Sequence, residues 1–224
     1  MEQSTYKDQE VVNKVFVKGR VATISDVNGT VLFTVVSKNG NRTIFVKMSC
    51  KKSVMPQEIR GRGHARVDVE GHIESYLTKK DGKRHITQHF VADKITLSKT
   101  LTDEIFGVKG KFFEEPKAQV YLKGTLLSII EDPEWYRYNI DISNEVRHTT
   151  VRVSLKKIDR PVEVKVGDTI CALCTISTPE KQFSDGTKQF MDILVSDLAK
   201  VNAEEIIYNL EAQIMNAQHD AKTE

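Results

Sequence analysis

The chain carries an internal repeat. The segment VFVKGRV at residues 15–21 returns as VYLKGTL at residues 120–126, and the pair Asp81-Gly82 returns as Asp185-Gly186. These two landmarks keep nearly the same offset across about 60 residues of each half, which indicates an internal duplication. A chain of 224 residues has room for two domains of about 100 residues each. The repeat therefore predicts two copies of one small fold.

Strand signals follow one another in the first half. Apolar residues alternate with polar ones over residues 15–21, 31–35 and 44–48, which is the period of half-buried β-strands. The pairs Asn28-Gly29 and Asn39-Gly40 are strong turn signals between these strands. We expect residues 51–60 to form a short helix or an irregular connection, and Pro56 limits the length of a helix there.

A long hairpin completes the half. Residues 67–73 alternate again, and a second extended run follows from Arg84 to Ile95, with Asp81-Gly82 as the turn between them. Gly19 and Gly71 fall on the apolar sides of their strands, where a missing side chain lets the strand bend or another backbone come close. Four cations at the tip of the hairpin suit a polyanion.

Five short strands with a helical connection between the third and the fourth are the order of an OB-fold. A β-sandwich, the alternative, usually needs about seven strands. In the second half, strands are predicted at 136–142, 150–155 and 168–176. We therefore expect an all-β chain of two tandem five-stranded OB-fold barrels with a C-terminal α-helix. The expected division is a flexible leader at 1–11, barrels at 12–100 and 117–201, a linker at 101–116 and a helix at 202–218.

The tail has helical rather than strand periodicity. Asn202 is a candidate N-cap, and Glu204 and Glu205 follow in the first turn, where the helix dipole favours acids. An apolar stripe from Ile206 to Met215 lies at helical spacing. This helix either packs against the second domain or serves as a dimerisation or partner helix.

Charge is divided unevenly along the chain. Residues 1–110 contain 19 Lys and Arg against 12 Asp and Glu, whereas residues 111–224 contain 14 against 19. The net charge of +2 thus conceals a basic first half, which is the usual footprint of a phosphate-binding surface. Three cysteines suit a reducing compartment. The polar start and the lack of any apolar run of membrane length favour a cytoplasmic protein with no membrane partner.

At the family level, the first half resembles bacterial single-stranded DNA-binding proteins. The resemblance covers roughly residues 11–98. It rests on the order and spacing of segments that are not diagnostic alone: Asn13-Lys14-Val15, Val17-Lys18-Gly19-Arg20, Phe33-Thr34-Val35, Thr43-Ile44-Phe45, Val69-Glu70-Gly71-His72-Ile73, and Asp81-Gly82 before Arg84. The second half is similar mainly through the plan it shares with the first.

The resemblance implies a groove that stacks bases on aromatic rings and holds phosphates with cations. Phe45 stands where the family usually has a stacking aromatic residue, and the alternation also puts it on the face opposite Ile44 and Val46. Tyr76, on the rising arm of the hairpin, is a second stacking candidate. The other interpretation of Phe45 is that it covers a loop or lies in a subunit contact.

Basic residues converge on the same groove and on the hairpin tip. Any one of them could simply be a solvated surface residue, so the argument rests on the group. The candidates for phosphate contact in the first half are Lys14, Lys18, Arg20, Arg42, Lys47, Lys51, Lys52, Arg60, Arg62, Lys79, Lys80, Lys83 and Arg84.

The second half offers fewer candidates. Trp135 is the better stacking residue there, because Tyr136 and Tyr138 share an apolar face and are predicted to be core residues. Arg152 lies on the outer face of its strand, near the place that Phe45 holds in the first half. The remaining candidates, Phe183 and Lys188, flank the second hairpin turn. Since this half is acidic, it binds nucleic acid weakly or serves chiefly for assembly.

Catalysis finds little support in the sequence. Cys171 and Cys174 have C-x-x-C spacing, but an odd separation within a strand puts their sulfurs on opposite faces, and no second pair completes a metal site. H-E-x-x-H, G-x-x-x-x-G-K-[ST] and G-x-S-x-G are all absent. We expect a protein that is not an enzyme and uses no metal or other cofactor.

These observations favour a sequence-independent protein that coats and protects single-stranded DNA in replication, recombination or DNA transfer. Family members commonly bring four OB domains together, so two chains of this kind would form a homodimer. Two alternatives stay open. One is an adaptor that docks onto a replication or recombination enzyme, and the other is an RNA-binding protein, since OB grooves accept either sugar.

Overall fold

A computed structural model describes residues 11–39, 41–60, 65–80, 83–98, 117–144, 147–157, 163–183 and 186–201. The predicted leader up to residue 10, the linker, the C-terminal helix and Arg62 lie outside these residues. So do the side chains of Lys79, Lys80, Lys83, Arg84, Phe183 and Lys188.

The first half contains five strands and one short helix. The strands are β1 (Val12–Val27), β2 (Thr30–Asn39), β3 (Arg42–Lys51), β4 (Arg66–Lys80) and β5 (Lys83–Leu97). The helix α1 (Gln57–Arg60) follows Pro56 and buries Ile59 completely, so the predicted short helix is confirmed.

The second half consists of strands alone in the part of the chain that is described. They are β6 (Lys117–Glu131), β7 (Trp135–Asp141), β8 (Thr150–Lys156), β9 (Thr169–Ser177), β10 (Glu180–Phe183), β11 (Gly186–Gln189) and β12 (Asp192–Lys200). The prediction of an all-β chain is confirmed.

Each half forms a closed ring of paired strands. In the first half β1 pairs with β2 and β4, β2 with β3, and β4 with β5, all antiparallel, and a short parallel pairing of β3 with β5 closes the ring. In the second half β6, β7, β8, β12 and β9 repeat this connectivity, with a short parallel pairing of β8 with β12. The duplicated sequence thus has a duplicated strand topology.

The second half departs from the first in its hairpin. β10 and β11 pair only with each other, as a separate two-stranded sheet, whereas the corresponding arms of β4 and β5 are continuous. Pro179 separates β9 from β10, and a proline has no N–H to donate to a strand ladder.

Glycines permit the tight crossings of strands that each ring needs. A Cβ on Gly19 would lie 2.3 Å from the carbonyl oxygen of Val36, and one on Gly71 would lie 2.1 Å from that of Val91. Both distances are shorter than any real contact, so the predicted close approach of another backbone is confirmed. The predicted turn at Asn28-Gly29 is confirmed too, since both residues have positive φ, 50° and 82°.

Alternation along the strands builds the core. Val15, Val17, Val35 and Val46 are almost fully buried in the first ring, and Ile140, Val151, Ile170 and Ile176 are buried in the second. The predicted core position of Tyr138 is confirmed, at 3% exposure, while Tyr136 is half-buried and packs against the core. The burial of these core side chains stabilises the fold by about 25 cal/mol per Å² of apolar surface removed from water.

The two rings join through their first strands. β1 pairs antiparallel with β6, from Val12 opposite Lys123 to Lys18 opposite Lys117, so ten strands form one continuous sheet. Phe16 and Tyr121 pack edge to face across this junction, with ring centroids 5.7 Å apart. No helix in the described ranges is long and apolar enough to cross a membrane.

Candidate nucleic-acid interface

The outer face of β2 and β3 carries an aromatic residue in line with two lysines. Phe45, Lys47 and Lys51 alternate along β3 with the buried Val46 and Met48, and all three are exposed. Phe45 is 38% exposed. The face therefore offers a ring for base stacking beside two cations for phosphates, which are the elements of a single-strand binding surface.

Lys52, Arg60 and Lys18 were predicted to contact phosphate and have partners within the protein. The ammonium of Lys52 lies 2.7 Å from a carboxylate oxygen of Asp26, at the end of β1. Arg60 donates a hydrogen bond to the carbonyl oxygen of Lys52. The hydrogen bond from Lys52 lowers the pKa of Asp26. Lys18, on β1, lies 3.9 Å from Asp68 on β4. Lys52 and Lys18 are thus partly neutralised by carboxylates, whereas Arg60 contacts a neutral carbonyl group.

The other predicted cations of the first half lie away from the line of Phe45 and Lys47. Lys14 is exposed on β1, opposite Tyr121 of the second half. Arg20 is half-buried on β1, and Arg42 is exposed at the start of β3, opposite Asn39. Phe45, Lys47 and Lys51 lie along one strand. Arg20 pairs with Val36, which pairs with Phe45, so Arg20 lies in the same cross-strand row as Phe45, two strands away.

The hairpin of β4 and β5 projects from the first ring. Tyr76 is 52% exposed on it, with its ring centroid 5.7 Å from that of His89. The ladder continues to Lys80 opposite Lys83, so the backbone of all four predicted tip cations lies at the end of this hairpin. The exposed ring of Tyr76 is available to an extended ligand.

The corresponding face of the second half is aligned by the strand registers. Ser49 pairs with Val91 on the closing strand of the first ring, and Ser154 pairs with Leu194 on that of the second. Thr150 lies four residues before Ser154, as Phe45 lies four residues before Ser49, so Thr150 corresponds to Phe45. By the same count, Arg152 corresponds to Lys47. Lys156 likewise corresponds to Lys51. Arg152 is thus the counterpart of a lysine two residues from Phe45, on the same face.

Arg152 is held in place by neighbours on both sides. It is half-buried, and its Nε donates a hydrogen bond to the side-chain oxygen of Asn139, at 3.0 Å. Its backbone N–H and C=O both bond to the side-chain amide of Gln88, which belongs to the first half. Burial, and secondarily the charge of Arg137, lowers the pKa of its guanidinium.

Trp135 lies at the far end of this face, opposite Lys156. It is half-buried, so part of its ring is accessible. Arg137, on the same face two residues further along β7, forms an ion pair of 2.7 Å with Asp132. Arg137 and Lys156 were not predicted as site residues, although their even spacing from Trp135 and Arg152 places them on the same face.

Contacts between the halves were also missed, because nothing in the local sequence signals them. Phe45 donates its backbone N–H to Oγ1 of Thr178, at 3.2 Å, and Thr150 donates its N–H to Oγ of Ser75, at 2.9 Å. Ser75 is an ordinary polar residue of β4, and Thr178 is one of the connection between β9 and β10. Their role depends on the relative position of the two rings.

A cluster of ionisable groups lies beside this contact. Glu74 contacts His72, His89 and Arg147, and Asp93 lies 2.8 Å from the other ring nitrogen of His72. Burial, followed by the charge of His72, lowers the pKa of His89. Among the described residues no group of three or more His, Cys, Asp or Glu side chains could hold a metal ion.

Comparison with known proteins gives a likeness of structure only. No family model matches the chain, and no curated protein matches it in sequence. The wild-type single-stranded DNA binding protein from Thermus aquaticus aligns with a TM-score of 0.58 and 14% identity, over 87% of this chain and 95% of that one. A deletion mutant of the same protein aligns equally well, over 87% of this chain and 97% of that one. At this identity the similarity shows that the two proteins share a fold.

Proposed function

We propose that each ring of strands is an OB barrel and that the chain binds single-stranded DNA without reacting with it. The observation that carries the proposal is that each of the two equivalent sheet faces bears an aromatic residue and two cations. Phe45 lies on β3 with Lys47 and Lys51, and Trp135 lies on β7, opposite Lys156, at the other end of the face that carries Arg152 and Lys156. In an OB-fold this face, beside the second and third strands, is where oligonucleotides bind.

The chemistry of these faces favours binding that ignores sequence. Rings stack on any base, because every base has a π-face, and each stack contributes about 1–3 kcal/mol. Lysine and arginine contact phosphates, which are the same at every position. Such a protein coats exposed strands during replication, recombination or DNA transfer, and it removes hairpins by binding only the unpaired form.

The likeness to the Thermus aquaticus protein supports the fold on which the proposal depends. In our proposal two chains associate, so that four barrels act together. Sedimentation equilibrium tests that part separately, because a chain that stays monomeric at working concentrations would refute the dimer without affecting the binding proposal.

Titration of the full chain with labelled oligonucleotides tests the proposal. We expect dT and mixed-sequence strands to bind alike, and the corresponding duplex to bind much more weakly. Each neutralised phosphate adds about 0.7 to the slope of log K against log salt, so four to six contacts give a slope of about −3 to −4. Failure to bind dT at low salt would refute the function.

The same titration separates the alternative of RNA binding. Matched rU and dT strands should be run side by side in the same buffer. A clear preference for rU would assign the faces to RNA and refute the proposal for DNA. The adaptor interpretation predicts no retention of either strand.

A further inference from the structure

β3 in the first half and β8 in the second carry the candidate faces. In the described ranges, the first residues of each strand have no partner strand on one edge within their own ring. In the first half β3 pairs with β5 only at Met48 and Ser49, which leaves the edge of its initial residues without a ladder. In the second half β8 pairs with β12 only at Ser154. Backbone N–H and C=O groups at such an edge need partners from elsewhere.

In both rings the partner comes from the other half. The N–H of Phe45 donates to Thr178, and the N–H of Thr150 donates to Ser75. The two hydrogen bonds join equivalent positions of the two halves. Ser75 lies four residues after Gly71, which pairs with Val15, and Thr178 lies four residues after Cys174, which pairs with Val120. The halves therefore clasp each other through equivalent hairpin arms.

Further side-chain contacts extend the clasp. The side-chain amide of Gln88 bonds both backbone groups of Arg152 and so continues the hydrogen-bonded edge of β8. On the other side, the side-chain amide of Asn39 donates to the carbonyl oxygen of Ile176, at 3.2 Å. The surface next to β8 is thus the hairpin of β4 and β5, and the surface next to β3 is the end of β9 that leads into β10.

From this arrangement we infer that each single-strand groove is composite: the sheet face of one half is continued by the hairpin of the other half. The basic hairpin of the first half serves the face of Trp135, Arg152 and Lys156 in the second. This inference rests on the proposed function and names the surfaces that act together in it.

The distribution of charge gives an independent reason for the hairpin of the first half to serve the face of the second. Residues 117–201 contain 12 Lys and Arg against 12 Asp and Glu, whereas residues 12–100 contain 17 against 7, so the second barrel alone has no net attraction for a polyanion. The hairpin of β4 and β5 contacts β8 at Ser75, and its backbone ladder continues from there to Lys80 opposite Lys83. A DNA strand that crosses from Thr150 to Trp135 follows β8 over six residue steps, or roughly 20 Å at about 3.3 Å per step.

The sole tryptophan of the chain makes the inference testable. Trp135 lies on the second face, so its quenching by a short dT strand of about eight nucleotides reports occupancy there. The test variant is Lys80→Gln with Lys83→Gln, in the hairpin of the first half. The matched control is Lys94→Gln with Lys157→Gln, which removes the same charge at two lysines that are paired with Glu70 and Glu131.

We expect the hairpin variant to weaken the affinity reported by Trp135 about tenfold at low salt, and the control to change it less than twofold. A second reporter is the Phe45→Trp/Trp135→Phe double variant, which monitors the first face. With that reporter the hairpin substitutions should have the smaller effect. If the double variant fails to fold by circular dichroism, the comparison at Trp135 still decides.

Other results overturn the inference. Weakening at the Phe45→Trp reporter alone would show that the hairpin serves its own half. Equal weakening at both reporters would show that it favours neither face, and an unchanged Trp135 titration would show that it does not serve the second face. If the unmodified chain bound no dT strand at all, the proposed function would fall first, and the composite groove with it.

Discussion

Gln88 of the first half holds Arg152 of the second by its backbone: the amide nitrogen donates to the carbonyl oxygen at 3.3 Å, and the amide oxygen accepts from the N–H. One side chain thereby imitates a rung of a β-ladder between residues 64 positions apart. The contact orients the edge of β8, which carries the candidate phosphate ligand on the same residue.

Truncation of this clasp should destabilise the protein. Gln88→Ala leaves the N–H and C=O of Arg152 without their partner, and we expect the free energy of unfolding to fall by about 1–3 kcal/mol. Urea denaturation followed by circular dichroism measures the change. Gln182→Ala, at an exposed position on β10, is the control and should lie within about 0.5 kcal/mol of the unmodified chain. Equal midpoints for the two variants would contradict the role of Gln88.

Loss of the Phe45 ring should weaken DNA binding and leave folding intact. Phe45→Ala removes one stacking platform, so we expect the affinity for dT strands to fall about 5- to 150-fold, the equivalent of 1–3 kcal/mol. Fluorescence anisotropy with a labelled strand measures it. Leu97→Ala is a close control, since Leu97 is 37% exposed and Phe45 38%. If both variants bound dT like the unmodified chain, Phe45 would not be a stacking residue.

The crossing at Gly71 should not tolerate a side chain. In Gly71→Ala the new Cβ meets the carbonyl oxygen of Val91 at 2.1 Å, and both atoms belong to paired strands. We expect a loss of at least about 2 kcal/mol of stability, measured by denaturation, because the backbone must shift. Gly29→Asn is the control: nothing lies within 4 Å of a Cβ there, and asparagine tolerates the positive φ of 82°. A Gly71→Ala variant as stable as this control would refute the close approach.

The thiols should be protected by burial. Burial raises the pKa of Cys50 to about 11, and it also raises the pKa values of Cys171 and of Cys174, which is fully buried. A thiol reagent at pH 8 reacts with the thiolate. We therefore expect slow labelling of the native chain and rapid labelling of all three thiols in denaturant.

Cys171 is half-buried, so it should account for the fastest native phase. Cys171→Ser should remove that phase, and mass spectrometry of labelled peptides identifies the site. Rapid labelling of Cys50 in the native protein would contradict its buried position.

The local sequence pattern determined which side chains of the strands are buried, where one turn lies and that the fold is repeated. Alternation alone separated the buried Ile44, Val46 and Met48 from the exposed Phe45 and Lys47, because successive side chains of a strand point to opposite faces. The turn at Asn28-Gly29 follows from residues that accept positive φ. The repeat required two similar units, and each half has the same ring of strands. The position of Gly71 on an apolar face predicted the close approach of another backbone, but it did not identify that backbone.

Tertiary structure decided how the halves serve each other. Ser75 and Thr150 are 75 residues apart, and no periodicity links them. Their hydrogen bond exists because the pairing of β1 with β6 fixes the position of one ring against the other. The sequence could place cations at a hairpin tip, since that depends on neighbours along the chain. It could not say which face the hairpin borders, because that depends on groups brought together only when both rings have folded and joined.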